Sequence, residues 1–547
     1  MPKDNQQKTE KTEKAVIYQV MTRLFGNTNT TNKVWGTRDE NGVGKFSDFN
    51  DKALKGIKEL GFTHIWYTGV LEHAVLTDYT ANGIPLDDAD VVKGRAGSPY
   101  AIKDYYDVNP DLADNVDERI SEFESLIERS HNQGLKVIMD FVPNHVARSY
   151  HSDAKPAGVI DLGEDDDPSL PFHTDNNFYY LPGTSFKVPE GYNSLGEHSF
   201  PTKDGKFNEI PAKVTGNNVF SASPSVNDWF ETVKLNYGVD YQNGNSKKFD
   251  PVPDTWVKMT DILIYWAGKN VDGFRCDMAE MVPVEFWDYA IAKVKKQYPD
   301  IIFVAEIYNP AAYRDYITGG FDFLYDKVEL YDTLKHIIQN KANTDHISQI
   351  WQRQEGIAAN MLTFLENHDE QRIPSPDFAG DPWKAVPAMV LSATMNKGPV
   401  MVYFGQEVGE PGEGSEGFSG KDGRTTIFDY WGVPEHQKWV NDGKYDGGQL
   451  SDEQRKLRGF YKEILTLCNE SDAVRSGDFF DLHYYNRSDQ YKGFSDQVYA
   501  YIRHSENEKL LFVLNFGDDE AQCQIKIPQH AFDVMALSEE ELIIEDF

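Results

Sequence analysis

Four short apolar stretches of this 547-residue chain each end in a carboxylate. They read VIMDFVPNH, DGFRCD, IIFVAE and MLTFLENHD, and they place Asp140, Asp277, Glu306 and Asp369 at the ends of strand-like segments. In a parallel barrel the catalytic groups lie where the strands end, so residues distant in sequence converge there. Several acids at one rim are costly because like charges repel each other, unless the protein uses them. The pattern therefore indicates an enzyme that works through paired carboxylates.

The elements that must position these acids alternate between strand and helix patterns. Apolar strand-like runs occupy residues 16–24, 62–68, 136–140, 271–277, 301–306, 321–326, 360–366 and 399–404. Amphipathic helical patterns lie between most of them, at residues 48–60, 117–131, 254–269 and 283–298. Eight strands that alternate with helices predict an α/β fold, a (β/α)8 TIM barrel.

Two regions lie outside the barrel pattern. Residues 146–252 are too long for a structureless loop in a compact domain, and they predict an inserted subdomain after strand 3. Near the C-terminus, a helix pattern is followed by the alternating runs QVYAYIRH and KLLFVLNF, which predict an antiparallel β domain. The predicted division is a disordered lead at 1–14, the barrel at 15–145 and 253–440, the subdomain at 146–252, and the helix plus β domain at 441–547.

The composition of the chain argues against some classes of binding partner. The formal net charge is −34, and such a surface repels phosphate backbones and anionic lipids, which argues against nucleic-acid and membrane partners and suits a neutral substrate. No apolar run approaches membrane-spanning length. The N-terminal MPKDNQQKTEKTEK lacks the apolar centre of a signal peptide, which predicts a cytoplasmic protein, or a periplasmic or secreted one whose signal has been removed. Nothing in the sequence predicts an oligomeric state.

Several separate motifs resemble glycoside hydrolase family 13, the α-amylase family. The segments DFVPNH (140–145), GFRCD (273–277), the strand that ends in Glu306, and ENHD (366–369) are similar to its four signature regions and occur in the same order. GPVMVYFGQEVG (398–409) is similar to its eighth-strand segment. The resemblance covers about residues 15–530.

The resemblance assigns a role to each of three acids. Glycosidic cleavage needs one carboxylate that attacks the anomeric carbon and one carboxylic acid that protonates the leaving oxygen. By resemblance Asp277 is the nucleophile and Glu306 is the general acid/base. Asp369 matches the family's third acid, which holds sugar hydroxyls and favours the oxocarbenium-like transition state.

The arginine of GFRCD is predicted to support the nucleophile. Arg275 lies two residues before Asp277, so in a strand both side chains face the same side. A guanidinium there keeps the carboxylate ionised and orients it. For Asp140 the resemblance implies structural support of Arg275 and its loop, without contact with substrate.

Three further residues are predicted to bind the sugar that is cleaved. His145 and His368 look like the two histidines with which the family hydrogen-bonds this sugar. Tyr100, in SPYAIKDYYD, matches a tyrosine that stacks on the same ring, although its neighbours Pro99 and Ala101 depart from the usual pattern.

The chain departs from typical α-amylases around a calcium site. Three and four positions after the nucleophile the family has a sugar-contacting Lys and a His whose carbonyl binds calcium, whereas this chain has Glu280 and Met281. Asn144 matches another calcium ligand, and KLN (234–236) resembles the motif of neopullulanases and cyclomaltodextrinases. We therefore expect the usual calcium site to be weak or absent, with calcium elsewhere in the chain an open alternative. Glu280 is predicted to contact substrate on the leaving-group side, the alternative being a local ion pair.

The predicted function is a retaining α-glucan hydrolase. It would cleave α-1,4-glucosidic bonds in starch-like polysaccharides or maltooligosaccharides by double displacement. A transglycosylase or isomerase of the same family, such as a glucanotransferase or trehalose synthase, or a neopullulanase-like enzyme is the alternative, because these share the catalytic residues. Met278, the residue after the nucleophile, is neither the Thr common in α-1,4 enzymes nor the Val of α-1,6 enzymes, so linkage preference stays open. A non-catalytic relative, such as an amino-acid transporter heavy chain, would lack the complete acid set.

Overall fold

The computed structural model describes residues 14–487 and 493–537. Its strands are short and, in the first half of the chain, mostly buried. In chain order they are β1 (Val16–Met21), β2 (His64–Thr68), β3 (Leu71–His73), β4 (Ile102–Val108), β5 (Lys136–Phe141), β6 (His145–Ala147), β7 (Tyr180–Leu181), β8 (Ala212–Lys213), β9 (Thr232–Lys234), β10 (Val239–Asp240), β11 (Ser246–Lys247), β12 (Gly273–Cys276), β13 (Ile302–Ala305), β14 (Phe323–Tyr325), β15 (Met361–Phe364), β16 (Val400–Tyr403), β17 (Asp478–Asp481), β18 (Val498–His504) and β19 (Lys509–Asn515).

Helices cover the outside of the barrel and continue into the C-terminal region. They are α1 (Thr22–Phe25), α2 (Arg38–Asn41), α3 (Asp51–Lys58), α4 (Arg119–Asn132), α5 (Asp254–Ala267), α6 (Val284–Gln297), α7 (Tyr313–Thr318), α8 (Asp332–Ile338), α9 (Asp345–Arg353), α10 (Val386–Thr394), α11 (Pro434–Val440), α12 (Asp452–Glu470), α13 (Asp472–Arg475), α14 (His483–Asn486) and α15 (Gln529–Met535). None of the helices in the described ranges combines the length and apolar character needed to cross a bilayer.

Eight parallel strands close into a barrel in the order β1, β16, β15, β14, β13, β12, β5, β2. Each of the eight segments predicted from the sequence overlaps one of these strands, so the predicted (β/α)8 TIM barrel is confirmed. The strands carry apolar residues on both faces because helices cover the outside and side chains fill the inside. Their carboxyl ends therefore share one rim, at which the chemistry of this fold is placed.

Two predicted boundaries at the start of the barrel were wrong. The first strand was predicted to reach residue 24, but it ends at Met21, and the helix α1 follows directly. Thr22 fixes that change of direction, because its Oγ1 donates to the carbonyl of Thr68 at 2.8 Å. Lys14 is buried and its Nζ donates to the carbonyl of Asn396 at 2.7 Å, so this residue belongs to the folded barrel rather than to the lead. The rest of the predicted lead lies outside the described residues.

The connection between β5 and α5 folds mainly through loops and short strand pairs. β6 pairs with β9, β7 with β8, and β10 with β11, each antiparallel. The register places His145 of β6 opposite Lys234 of β9, which joins the inserted segment directly to the rim of the barrel.

An antiparallel sheet of β17, β18 and β19 follows the long helix α12, as the alternating sequence pattern predicted. The described part of this region packs on the barrel through contacts such as that of Tyr501 Oη with Thr394 Oγ1 at 2.5 Å. Residues 488–492 and 538–547 of the predicted C-terminal domain lie outside the described residues.

Candidate active site

Three of the four predicted strand-end acids line one cavity on the carboxyl rim of the barrel, and Asp140 does not. Asp277 directly follows β12 and Glu306 directly follows β13, and the pairing of Cys276 with Ala305 makes the two acids neighbours. Asp369 comes from the loop after β15. A cavity of about 210 Å³ is lined by these three acids and by Lys93, Ser98, Tyr100, His145, Trp229, Glu231, Thr232, Met278, Tyr308, Ile427 and Phe428.

Arg275 contacts the two central carboxylates, Asp277 and Glu306. Its Nη1 donates to Asp277 Oδ1 at 2.8 Å, and its Nη2 lies 2.8 Å from Glu306 Oε2. The guanidinium is buried, and Asp140 Oδ1 lies 3.7 Å from Nη1. Asp140 Oδ2 in turn accepts a hydrogen bond from the backbone of Gly69 at 3.2 Å. The planar fork of arginine therefore fixes both acids relative to each other.

Burial raises the pKa values of the two central acids, Asp277 and Glu306. It raises the pKa of Asp277, and Arg275 opposes this shift by its charge and by its hydrogen bond. Burial also raises the pKa of Glu306; Arg275 again opposes it, while the charges of Asp277 and Asp369 raise it further. Two like charges in one buried site favour a single shared proton. The arrangement can thus hold one carboxylate and one carboxylic acid at the same time.

Tyr308 is a site residue that sequence reasoning missed. Its hydroxyl donates to Glu306 Oε1 at 2.5 Å, and the backbone of Met278 donates to Glu306 Oε2 at 2.7 Å. A signal was present in the sequence, since Tyr308 lies two residues after Glu306, and alternate residues of an extended chain face the same side.

We expect Tyr308→Phe to move the alkaline limb of the pH–rate profile to higher pH. The hydrogen bond from Tyr308 lowers the pKa of Glu306, so its loss raises that pKa and keeps the acid protonated further into the alkaline range. Activity at the optimum should fall by about tenfold or less, which is the net value of one such hydrogen bond. Initial rates on a maltooligosaccharide across pH measure both effects.

Tyr313→Phe is the matched control for this prediction, because the Tyr313 hydroxyl is buried and has no hydrogen-bond partner among the described residues. An unmoved alkaline limb in Tyr308→Phe, or an equal movement in the control, would contradict the assigned contact.

His368 lies at the centre of a second group of contacts. Its Nε2 is 2.5 Å from Tyr100 Oη and 3.1 Å from Asp369 Oδ2, and its Nδ1 is 2.7 Å from Gln19 Nε2.

The pKa of Asp369 is lowered to about 2. Burial acts to raise this pKa, but the charge and hydrogen bond of His368 lower it, and Arg275 and Arg424 add to the effect. Asp369 is therefore held as a carboxylate. Gln19, in β1, was not identified from the sequence.

His145 lies on the inserted-subdomain side of the cavity. Its ring packs against Trp229 with centroids 5.2 Å apart, and its Nδ1 is 3.0 Å from Asn144 Nδ2. Burial lowers the pKa of His145 to about 3, so the imidazole is neutral at physiological pH. A neutral ring presents one donor and one acceptor, which suits hydrogen bonding to sugar hydroxyls.

Glu280 is not brought into the cavity lining. Its Oε2 accepts a hydrogen bond from the backbone of Asn309 at 3.0 Å, and its side chain is partly buried. The structure thus ties Glu280 to the loop after β13 rather than to a cationic side chain. Its contact with substrate stays a prediction.

The residues that the resemblance connects with calcium are bonded to a lysine instead. Lys234 Nζ donates to Asn144 Oδ1 and to the carbonyl of Met281, the latter at 3.1 Å. Lys234 is 1% exposed, and burial lowers its pKa to about 7. These two oxygens do not fit a calcium ion as arranged, because the amino group of Lys234 occupies the position between them.

A closed (β/α)8 barrel whose rim carries paired carboxylates joined by an arginine has the groups that a glycoside hydrolase needs. Residues 19–438 match the family model described as the α-amylase catalytic domain. The chain belongs to this family, which confirms the resemblance seen in the motifs, and it is a glycoside hydrolase.

Similar proteins are distant in sequence and alike in fold. Alpha-amylase 3 of Dictyoglomus thermophilum is 21% identical over 527 residues, which cover 92% of this chain and 85% of that protein. Neopullulanase 2 of Thermoactinomyces vulgaris is 20% identical over 530 residues, with coverage of 94% and 71%. The crystal structure of a maltogenic α-amylase from Thermotoga neapolitana aligns with a TM-score of 0.56 at 20% identity, and it covers 92% of this chain and 86% of that one.

Proposed function

We propose that this protein is a retaining α-glucan hydrolase that cleaves α-1,4-glucosidic bonds in starch-like polysaccharides or maltooligosaccharides. The observation that carries the proposal is the contact of Arg275, at 2.8 Å, with both Asp277 and Glu306, whose side chains line the cavity. One guanidinium that holds two adjacent carboxyl groups suits a nucleophile and an acid that act on the same bond.

In the first step Asp277 attacks the anomeric carbon while Glu306 gives its proton to the glycosidic oxygen. The bond between the anomeric carbon and that oxygen breaks, the shortened glucan leaves as an alcohol, and the sugar becomes an ester of Asp277. In the second step the Glu306 carboxylate takes a proton from water, whose oxygen attacks the anomeric carbon and releases Asp277. Glu306 ends protonated and Asp277 ionised, as at the start.

The surrounding residues fit roles in binding and transition-state stabilisation. Asp369, held as a carboxylate, accepts hydrogen bonds from ring hydroxyls and opposes the positive charge that develops at the anomeric carbon. His145 offers a ring nitrogen to the same sugar, and the ring of Tyr100 gives it an apolar face. Both ring nitrogens of His368 are already in contact with protein groups, so His368 acts by holding Tyr100 and Asp369 in place.

A second candidate is a neopullulanase-like or transferring enzyme. It is favoured by the KLN segment at 234–236 and by the similarity to a protein named neopullulanase. In such an enzyme the hydroxyl of an acceptor sugar replaces water in the second step, so the same residues serve both outcomes.

Product analysis tests the proposal and separates the candidates. The protein is incubated with starch, pullulan, cyclodextrin, trehalose and maltose, and products are followed by chromatography and by NMR of the newly formed anomeric centre. Hydrolysis of starch with α-configured products supports the proposal. Products of inverted configuration would overturn the mechanism, and transfer products or preference for pullulan or cyclodextrin would favour the second candidate.

The proposal gives Lys234 a structural role in place of calcium. Asn144 lies between Lys234 and His145, so the lysine fixes the amide that borders a sugar-binding histidine. We expect Lys234→Met to lower kcat/KM about tenfold and to reduce the melting temperature. The buried oxygen of Asn144 loses its donor, which costs about 1–3 kcal/mol, and the half-buried carbonyl of Met281 loses its contact with the lysine.

Lys247→Met is the control for this change, since Lys247 is an exposed lysine of the inserted segment that pairs with Glu285. Steady-state kinetics and thermal unfolding, each with and without calcium chloride, give the readout. Full activity in Lys234→Met would show that the lysine does not support His145.

A further inference from the structure

A cluster of four carboxylates lies at the base of the hairpin formed by β3 and β4, apart from the cavity described above. It consists of Glu72, Asp104, Asp107 and Asp153, and we call it the Glu72 cluster. Glu72 of β3 faces Asp104 of β4 in the strand register, and Asp153 comes from the inserted segment. One oxygen from each residue lies within 4.8 Å of the oxygens from the other three.

Three members of the cluster are buried, and one of them lacks a partner. Glu72 is 2% exposed, while Asp104 and Asp107 are fully buried. Glu72 Oε2 has no hydrogen-bond partner within the described ranges of the chain. A buried carboxylate oxygen without a donor, in a side chain grouped with three other carboxylates, is strongly unfavourable unless a cation or a proton compensates it.

The nearby cationic side chains are already engaged. Arg119 Nε lies 2.9 Å from both carboxylate oxygens of Asp107. Lys103 Nζ donates to the carbonyl of Pro85 at 2.6 Å and to Asp87 at 3.2 Å. The guanidinium of Arg119 and the ammonium of Lys103, which also contacts Asp87, thus stand against the four acids, so the cluster keeps an excess of negative charge.

The cluster is also held in place before any ion arrives. Asp104 Oδ1 accepts from Ser152 Oγ at 2.6 Å, and Asp104 Oδ2 accepts from the backbone of Asp153 at 2.9 Å and of Ala154 at 3.0 Å. These bonds bring the exposed carboxylate of Asp153 over the buried ones. Hairpin and inserted segment therefore form the two sides of one small site.

We propose that the Glu72 cluster binds a calcium ion. Calcium takes oxygen ligands at about 2.3–2.6 Å, so the oxygens around one ion lie within about 5 Å of one another, as the four oxygens of the cluster do. Carboxylates alone are hard ligands that disfavour zinc or copper, and magnesium keeps several waters that a buried site excludes.

A bound ion there would act on the active site through the hairpin. Tyr100, whose hydroxyl contacts His368, lies two residues before β4. Cross-linking β4 to the inserted segment fixes the base of the loop that carries this tyrosine. The ion is a structural element in this role and takes no part in the chemical steps.

Protonation of Glu72 is the competing explanation for its missing partner. Burial raises the pKa of Glu72 well above its ordinary value; the charge of Lys103 opposes this shift, and the charges of Asp107, Asp104 and Asp153 add to it. A proton would relieve the repulsion without any ion, and the two explanations differ in whether calcium binds.

Calorimetric titration and thermal unfolding of the full chain test the proposal. The protein is treated with a chelator, dialysed and titrated with calcium chloride, and with magnesium chloride in parallel. We expect one equivalent of calcium to bind and the melting temperature to rise as calcium saturates the site. Asp153→Asn, a change at an exposed position, should weaken calcium binding at least about tenfold, and Glu72→Gln should abolish it.

The control is Asp165→Asn, which removes an exposed acid of the same inserted segment from outside the cluster and should leave calcium binding unchanged. Glu72→Gln carries a second readout, because removal of the buried charge should raise the melting temperature of the chelated protein above that of the chelated parent. Absence of calcium binding up to about 1 mM would overturn the proposal. Equal binding by the parent, Asp153→Asn and Glu72→Gln would do the same, since the ion would then lie elsewhere.

Discussion

Asp277→Asn is expected to lower kcat/KM on maltooligosaccharides by about 10⁴-fold or more, the order of loss seen when a catalytic nucleophile is removed. The amide has nearly the shape of the carboxylate, but its oxygen is a poor nucleophile and its nitrogen cannot accept the hydrogen bond from Arg275. The change removes one buried charge beside a guanidinium that still contacts Glu306. The fold should therefore persist while the glycosyl-enzyme no longer forms.

Two measurements separate this result from simple loss of structure. Thermal unfolding of Asp277→Asn should resemble that of Asp288→Asn, a control at an exposed position of α6 that should keep full activity. A fluorinated glycosyl substrate that forms a stable ester with the nucleophile should label the parent protein on the peptide that contains Asp277. Near-normal turnover in Asp277→Asn, or a label on another acid, would show that the nucleophile is misassigned.

The barrel could be predicted because the patterns that specify its strands and helices lie within short stretches of sequence. Each barrel strand is a short run of apolar residues, and covering helices such as α4 and α5 carry their buried residues at helical spacing. Strand ends were less predictable. The end of strand β1 at Met21 depends on a hydrogen bond from Thr22 to the carbonyl of Thr68, which lies on another strand.

Asp277 and Glu306 could be predicted because each directly follows a barrel strand, and Arg275 could be predicted because it lies two residues before Asp277 within β12. Gln19 could not, because its partner His368 is 349 residues away and a buried glutamine in β1 has no distinctive pattern. Trp229 lies in the inserted segment, where short strands and loops leave little periodicity to interpret.

The departure from the family's calcium site was visible in the sequence, but its cause was not. Met281 and the KLN segment predicted a weakened site, but they did not show which side chain contacts Asn144. Only the pairing of β6 with β9 places Lys234 against Asn144 and the carbonyl of Met281. Side chains that approach across a strand pair are fixed by register, and register here depends on the folded insertion.

The loss of kcat/KM in Glu306→Gln is expected to depend on the leaving group of the substrate. On natural glucans kcat/KM should fall about 10²–10⁴-fold, because the glutamine has no proton to give to the glycosidic oxygen. Glucosyl fluoride and aryl glucosides release stable anions, so their first step needs little acid assistance and should be much less impaired. Their second step still lacks a base, so we expect a rapid burst of leaving group followed by slow turnover.

The pH dependence provides an independent check on the same residue. Burial and the charges of Asp277 and Asp369 raise the pKa of Glu306 above that of an ordinary glutamic acid, with Arg275 opposing them. The parent enzyme should therefore keep its acid protonated to a higher pH than a solvent-exposed glutamic acid would, and lose activity as the pH rises through that pKa. In Glu306→Gln the group no longer titrates, so the burst on glucosyl fluoride should lose this alkaline limb. An equal loss of activity on fluoride and glucan substrates, or an unchanged alkaline limb, would assign the proton to a different group at the cavity.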